Sequence, residues 1–293
     1  MEDRTHETYK DDSFSTGKCN RIRWLVGVAP STTHAATQEG NAAANNGVAL
    51  PQTDTTKAGI SFGEPNPNGN SGYLRLQKVP EILDFGNHER FDSSFPAFTA
   101  DGVNVDNSSN NRYASYKSTD TNMTAVLNTS DSALSAVNGK AWTTVVDKQD
   151  TRTNADATNT ANPGTWQLSV KADGPLNKVD NQGNTMGSST DAILNFKDTA
   201  YGETSDVYTL TGEAQDQDYT PTAASTINKN ITLNVADNAA SADVASAADG
   251  EGAGANVFGW AKKDITLTLP STFTAENAIY ETSLTWTLAT GIN

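Results

Sequence analysis

Tyr280-Glu281-Thr282-Ser283-Leu284-Thr285-Trp286-Thr287-Leu288 is the stretch whose reading decides the fold. Taken with a period of two, Tyr280, Leu284, Trp286 and Leu288 share one face with the small Thr282. Glu281, Ser283, Thr285 and Thr287 fill the other face. A half-buried β-strand needs this alternation, because successive side chains leave opposite sides of the pleat. The pattern recurs more than a hundred residues earlier in Trp166-Gln167-Leu168-Ser169-Val170-Lys171, with Trp and Leu again two apart. Two such strands predict a single domain closed by distant parts of the chain.

Around these strands the chain is sparse in core-forming residues. Of 293 residues, 35% are hydrophobic and 19% charged, so the apolar side chains must be concentrated in strands to bury a core. They are so concentrated at Tyr73–Pro80, Trp142–Asp147, Ala192–Phe196, Val207–Leu210, Ile231–Val235, Val257–Trp260 and Ile265–Leu269. Pro80 and Pro270 fall where strands should end, since proline cannot donate to a ladder. The segments from Phe91 to Ala141 and from Ala236 to Gly254 read as loops, the second because Val244 is its only apolar residue larger than alanine. Many short strands joined by polar, turn-rich loops predict an all-β fold, an antiparallel β-sandwich or barrel-like domain with long polar loops.

Three parts are expected along the chain: 1–36, 37–72 and 73–293. In the first, Lys18, Arg21 and Arg23 precede an apolar run at Trp24–Ala29 and a small-residue stretch ending at Ala36. That order is the order of a secretory signal, although its acidic beginning is atypical. The alternative is an ordinary disordered N-terminus. Residues 37–72 are rich in Ala, Asn, Thr, Gly and Pro and read as a linker or leading arm, with a short strand expected at Ile60-Ser61-Phe62. No run approaches the roughly 18 apolar residues that span a bilayer, so no transmembrane segment is expected. With no C-terminal sorting signal after Leu288, any surface attachment should be non-covalent.

The net charge of −15 opposes binding to nucleic acid, and equally to anionic lipid or anionic wall polymers. Cys19 is the one cysteine, which excludes a disulfide framework or a cysteine-based metal site. His88 is the only histidine in the patterned region, and Asn87-His88-Glu89-Arg90 reads as a solvated turn. Asp101–Asp106 and Asp216-Gln217-Asp218 offer carboxylates without the full calcium-loop spacing. No catalytic constellation, cofactor motif or metal site is expected, and the chain does not read as an enzyme.

The two strands resemble the paired motifs of the WxL-domain cell-surface proteins of low-GC Gram-positive bacteria. Tyr280, Leu284, Thr285, Trp286 and Leu288 match the distal motif, and Trp166, Leu168, Ser169 and Val170 the proximal one. Val79-Pro80, Asp84-Phe85-Gly86, Val145-Val146-Asp147 and Ile265–Pro270 are also similar to the family, which extends the likeness over about 73–293. The chain departs from it at Ile292, where the family often has proline, and over 197–257, which is poor in landmarks. The resemblance implies secretion, an extracellular place at the cell wall, and non-covalent attachment with peptidoglycan as ligand. It also implies companion surface proteins, some membrane-anchored, and adhesion in some members. The binding residues it implies are Trp166, Gln167, Leu168, Tyr280, Leu284, Thr285, Trp286 and Leu288. Alternation assigns the two tryptophans to the core instead, leaving ligand contact to loops or outward polar residues such as Gln167, Thr285 and Thr287. A second reading is a structural or adhesin subunit that binds companion proteins or host ligands at a β-sheet edge.

Overall fold

A computed structural model describes residues 52–57, 74–88, 91–106, 122–148, 165–180, 182–205, 221–224 and 226–290. The chain divides into two units, Met1–Ala35 and Ala36–Asn293, and every described residue belongs to the second. The expected signal, the Ile60–Phe62 strand, the Val207–Leu210 strand and Asp216–Asp218 lie outside the described residues.

The described residues form sixteen strands and two single-turn 3-10 helices. The strands are β1 (Gln52–Lys57), β2 (Leu74–Lys78), β3 (Ala97–Thr99), β4 (Ala141–Asp147), β5 (Trp166–Ala172) and β6 (Leu176–Val179). Then follow β7 (Thr185–Thr190), β8 (Ala192–Phe196), β9 (Ala200–Thr204), β10 (Thr226–Ile227) and β11 (Ile231–Val235). The last five are β12 (Ala242–Ala247), β13 (Gly254–Trp260), β14 (Ile265–Thr268), β15 (Ile279–Glu281) and β16 (Ser283–Thr290). They build four antiparallel sheets, ordered β1-β16-β5-β12-β10, β11-β8-β14-β3, β2-β4-β13-β9 and β15-β6-β7. The architecture is sandwich-like and no sheet closes into a barrel.

The two motif strands are hydrogen-bonded neighbours. Leu168 lies opposite Leu288, Val170 opposite Trp286 and Ala172 opposite Leu284. Facing residues of an antiparallel pair lie on the same side, so these six form one apolar surface. The alternation of β5 is complete, with Trp166, Leu168, Val170 and Ala172 buried and the three residues between them half-exposed. Against this surface pack Phe196 from β8 and Trp260 from β13. Phe196 lies 5.1 Å from Trp260 and 6.1 Å from Trp286, and the two indoles are 5.9 Å apart. One aromatic triangle thus joins the three large sheets.

Three sequence expectations are corrected. The stretch Tyr280–Leu288 is not one strand but β15 and β16, divided at Thr282. Thr282 Oγ1 donates to the Gly174 carbonyl at 2.9 Å, and Asp173 N donates to the Ser283 carbonyl, which turns the chain between two sheets. The alanine-rich tract 236–254 is not a loop throughout, because it contains β12, whose Val244, Ala245 and Ala247 are buried. Its lack of large side chains has a steric cause. Ala245 and Ala247 pair with Leu168 and Trp166, and the tryptophan supplies the bulk that the alanines leave room for. The loop 91–141 also contains β3 and a 3-10 turn, Ser132–Leu134, capped by Asp131 Oδ1 accepting from Ala133 N at 2.8 Å.

That turn lies on the outer face of the β2-β4-β13-β9 sheet. Leu127, Leu134 and Val137 pack there against Val257, and a side chain at Gly202 would meet the Ala133 carbonyl at 3.1 Å. This second cover buries every residue of β13.

β1 is a strand that no apolar periodicity announces. It pairs with β16 over six residues, and Gln52 Oε1 accepts from Leu76 N at 3.1 Å, tying it to β2.

Trp286→Ala should cost about 3–5 kcal/mol, as truncation of a core aromatic. Gly252→Ala should cost about 1–3 kcal/mol, since φ is +72° there and a Cβ would lie 2.6 Å from Trp166 Nε1. Urea midpoints of the two variants against the parent chain check both figures.

Candidate functional site

The residues implied as a binding set separate into two groups. Trp166, Leu168, Leu284, Trp286 and Leu288 are all buried, the tryptophans at 1% and 0% exposure. Gln167, Thr285 and Tyr280 are half-exposed, as is Thr287. A side chain with no surface cannot stack on a sugar, so the name-giving indoles contribute packing in this structure. Trp166 meets Phe258 edge to face at 6.5 Å, and its Nε1 has no hydrogen-bond partner among the described residues. Trp260, by contrast, donates from Nε1 to Thr199 Oγ1 at 2.9 Å, and Thr199 donates onward to the Asn228 carbonyl.

The outward face of the motif strands is a polar row set by register. Thr285 lies opposite Lys171, Thr287 opposite Ser169, and Ala289 opposite Gln167. β12 continues the row, with Asp243 beside Ser169 and Ser246 beside Gln167. Thr285 Oγ1 donates to Asp173 Oδ1 at 2.7 Å. The face offers hydroxyl, amide, ammonium and carboxylate groups at strand spacing, which suits a hydrogen-bonding ligand laid across the sheet.

Tyr280 is elsewhere. On β15 it lies opposite Lys178, and its ring meets Phe273 at 5.1 Å, with Phe91 a further 5.2 Å from Phe273. Its hydroxyl accepts from Glu276 N at 3.2 Å. Edge-to-face contacts of this kind make a small satellite cluster under a loop rather than an open stacking platform. Lys178 Nζ donates to Glu276 at 2.6 Å, and this hydrogen bond holds the ammonium above its ordinary pKa.

Two groups that the sequence reading passed over are chemically notable. A shallow, open depression of about 490 Å³ is lined by Ser130, Asp131, Glu203, Thr204, Ser205 and Pro221, among others. It is polar and lacks an aromatic wall. Behind it, the Tyr201 hydroxyl is 2.8 Å from both Glu203 Oε2 and Asn256 Oδ1, and accepts from Ala224 N at 3.1 Å. Asn256 is fully buried and donates to the Gly252 carbonyl at 2.6 Å. One phenolic proton serves two acceptors there. Burial, reinforced by the Glu203 carboxylate, pushes the Tyr201 pKa above the usual tyrosine range.

His88, expected in a solvated turn, is half-buried instead. Its ring lies 4.5 Å from Phe98, and Nε2 is 2.7 Å from the Phe85 carbonyl. Asp101 belongs to a tight turn, accepting from Thr99 Oγ1 while Gly102 N donates to the Thr99 carbonyl. Among the described residues no group of three or more His, Cys, Asp and Glu side chains could hold a metal ion. No helix among them is long and apolar enough to cross a membrane.

Tyr201→Phe should cost about 1–3 kcal/mol by leaving Ala224 N and Asn256 Oδ1 unpartnered. Because the folded state raises the phenol pKa, its contribution is present below pH about 10 and lost as pH rises beyond that value. Denaturant titrations at neutral and strongly alkaline pH should therefore show a steeper alkaline loss in the parent chain than in the phenylalanine variant.

Comparison with known proteins gives one family. The WxL family, described as WxL domain surface cell wall-binding, matches residues 31–291, and the chain belongs to it. Nothing matches among curated proteins or solved structures.

Proposed function

We propose, from its membership of the WxL family, that this cell-surface, wall-binding chain is secreted and attaches non-covalently to peptidoglycan. The supporting observation is the division of the motif strands. Their apolar side chains are sealed inside, and their outward side chains form a hydrogen-bonding row. Gln167, Thr285 and Thr287, with Lys171 and Ser169 between them, are the residues assigned to the ligand. Their role is to recognise amide and hydroxyl groups of the wall glycan and its peptide stems. The net charge of −15 directs binding away from anionic wall polymers and toward a neutral or mixed-charge ligand. The family is a wall-binding one and not an enzyme family. Residues 1–36 are assigned as the secretory signal and 37–72 as a leading arm, whose β1 adds to the β16 edge of the domain at 73–293.

A second reading, binding of companion surface proteins at a sheet edge, is favoured by one observation. β16, the strand that carries Trp286, has a purely polar sequence, QTDTTK, as its outer neighbour.

Protein-free peptidoglycan sedimented with the purified chain should carry it into the pellet without releasing soluble sugar. The triple variant Gln167→Ala, Thr285→Ala, Thr287→Ala should lower retention at least about tenfold, or about 1.4 kcal/mol, with little change in melting temperature. A parent chain left wholly in the supernatant would sink the peptidoglycan reading.

A further inference from the structure

The apolar row of the motif sheet stops abruptly at one edge. Across β5 and β16 it runs through the pairs Leu168–Leu288, Val170–Trp286 and Ala172–Leu284. On the other side of β16, β1 places Gln52 opposite Leu288, Asp54 opposite Trp286 and Thr56 opposite Leu284. Because directly opposed residues project to the same side, Gln52 and Asp54 enter the core face of the sheet. Gln52 is buried and has a partner in Leu76 N. Asp54 brings a half-buried carboxylate to the flank of the central tryptophan.

The strand is held by its backbone ladder with β16 and by the Gln52 side chain on Leu76 N. Among the described strands it has a hydrogen-bonded neighbour on one side only, and its sequence, QTDTTK, brings no apolar side chain to the core. Inward-pointing charge is a known way of keeping an edge from recruiting further strands. Here the charged strand covers a neighbour well suited to recruitment. β16 is eight residues long, the longest strand among the described residues, and six of its residues pair with β1. Its inner face is already apolar at alternate positions. The far edge of the same sheet is the two-residue β10, which offers far less backbone.

We propose that β1 is a displaceable cover, and that the β16 edge beneath it is the acceptor site for an extended segment of a companion surface protein. The segment would carry apolar side chains at the alternate positions opposite Leu288, Trp286 and Leu284 in the register of β1. Its ladder hydrogen bonds would match those of β1, and its side chains would add the burial that β1 lacks. A second copy of this chain would bring only the same polar strand and gain nothing by the exchange. This inference rests on the companion-protein reading and names its site.

The test uses two labelled peptides and the full chain. One peptide has the sequence of β1, and the other carries valine at the three positions opposite Leu288, Trp286 and Leu284. The valine peptide should bind at least tenfold more tightly and cross-link to β16. Capture should fall at least tenfold in the chain variant Asp54→Val, Thr56→Val, whose own cover fits better. In the parent chain, hydrogen exchange should be faster at β1 amides than at β5 amides.

Failure to capture the valine peptide, or equal capture by the double variant, overturns the proposal. A companion protein from the same cell surface that binds parent and double variant equally overturns it while leaving the companion reading intact. Loss of peptidoglycan sedimentation with peptide capture retained would overturn the wall reading and leave this one standing.

Discussion

Contact among Phe196, Trp260 and Trp286 is the interaction on which the remaining structure depends. The three rings come from three different sheets and lie within 5.1–6.1 Å of one another. A chain with so few large apolar residues cannot fill a broad core evenly, so it concentrates volume where the sheets converge. Trp166 extends the arrangement through Phe258 and on to Tyr201. Small residues then become as necessary as large ones. Ala247 lies opposite Trp166, and a Cβ at Gly252 would come within 2.6 Å of the indole and 2.7 Å of Ala247, so no larger side chain fits there. The family's name-giving residues are in this sense the structural condition for a surface, and the surface itself lies on the opposite side of the same strands.

That division bears directly on function. A β-strand whose alternate residues are fixed in a core presents its remaining residues in a defined register. Thr285 and Thr287 on one strand face Lys171 and Ser169 on the next, so hydroxyl and amino groups occupy fixed positions without a preformed cleft. The proposed ligand, an extended polymer, would meet these groups as a row along the strands.

Where alternation was strong, the sequence was readable. Ile231–Val235 and Ala192–Phe196 form strands with the bounds their patterns predict, and the proline-marked ends of β2 and β14 fall within two residues of Pro80 and Pro270. Legibility failed where the determinant of structure was a neighbour rather than the segment itself. β12 looked like loop because its apolar partner is Trp166, and the Thr282 break was hidden because the alternation continues through it in sequence. β1 was unreadable for a third reason: its inner face is polar, so no periodicity marks it. At the candidate site, burial of the tryptophans followed from pattern alone. Tyr201, Glu203 and Asn256 carried no local signal, since their association depends on β9 and β13 pairing.

Strand order in the motif sheet has a consequence for the time course of folding. β16 follows every other described strand in the chain, yet it lies between β1 and β5 and carries one corner of the aromatic triangle. The central sheet cannot be completed until this last strand arrives, and nearly all its pairings join residues far apart in sequence. Topologies of this kind fold slowly, because loop closure precedes the contacts that reward it. If the chain is secreted as proposed, it would thus remain open while in transit. It would close only when β16 emerged on the far side.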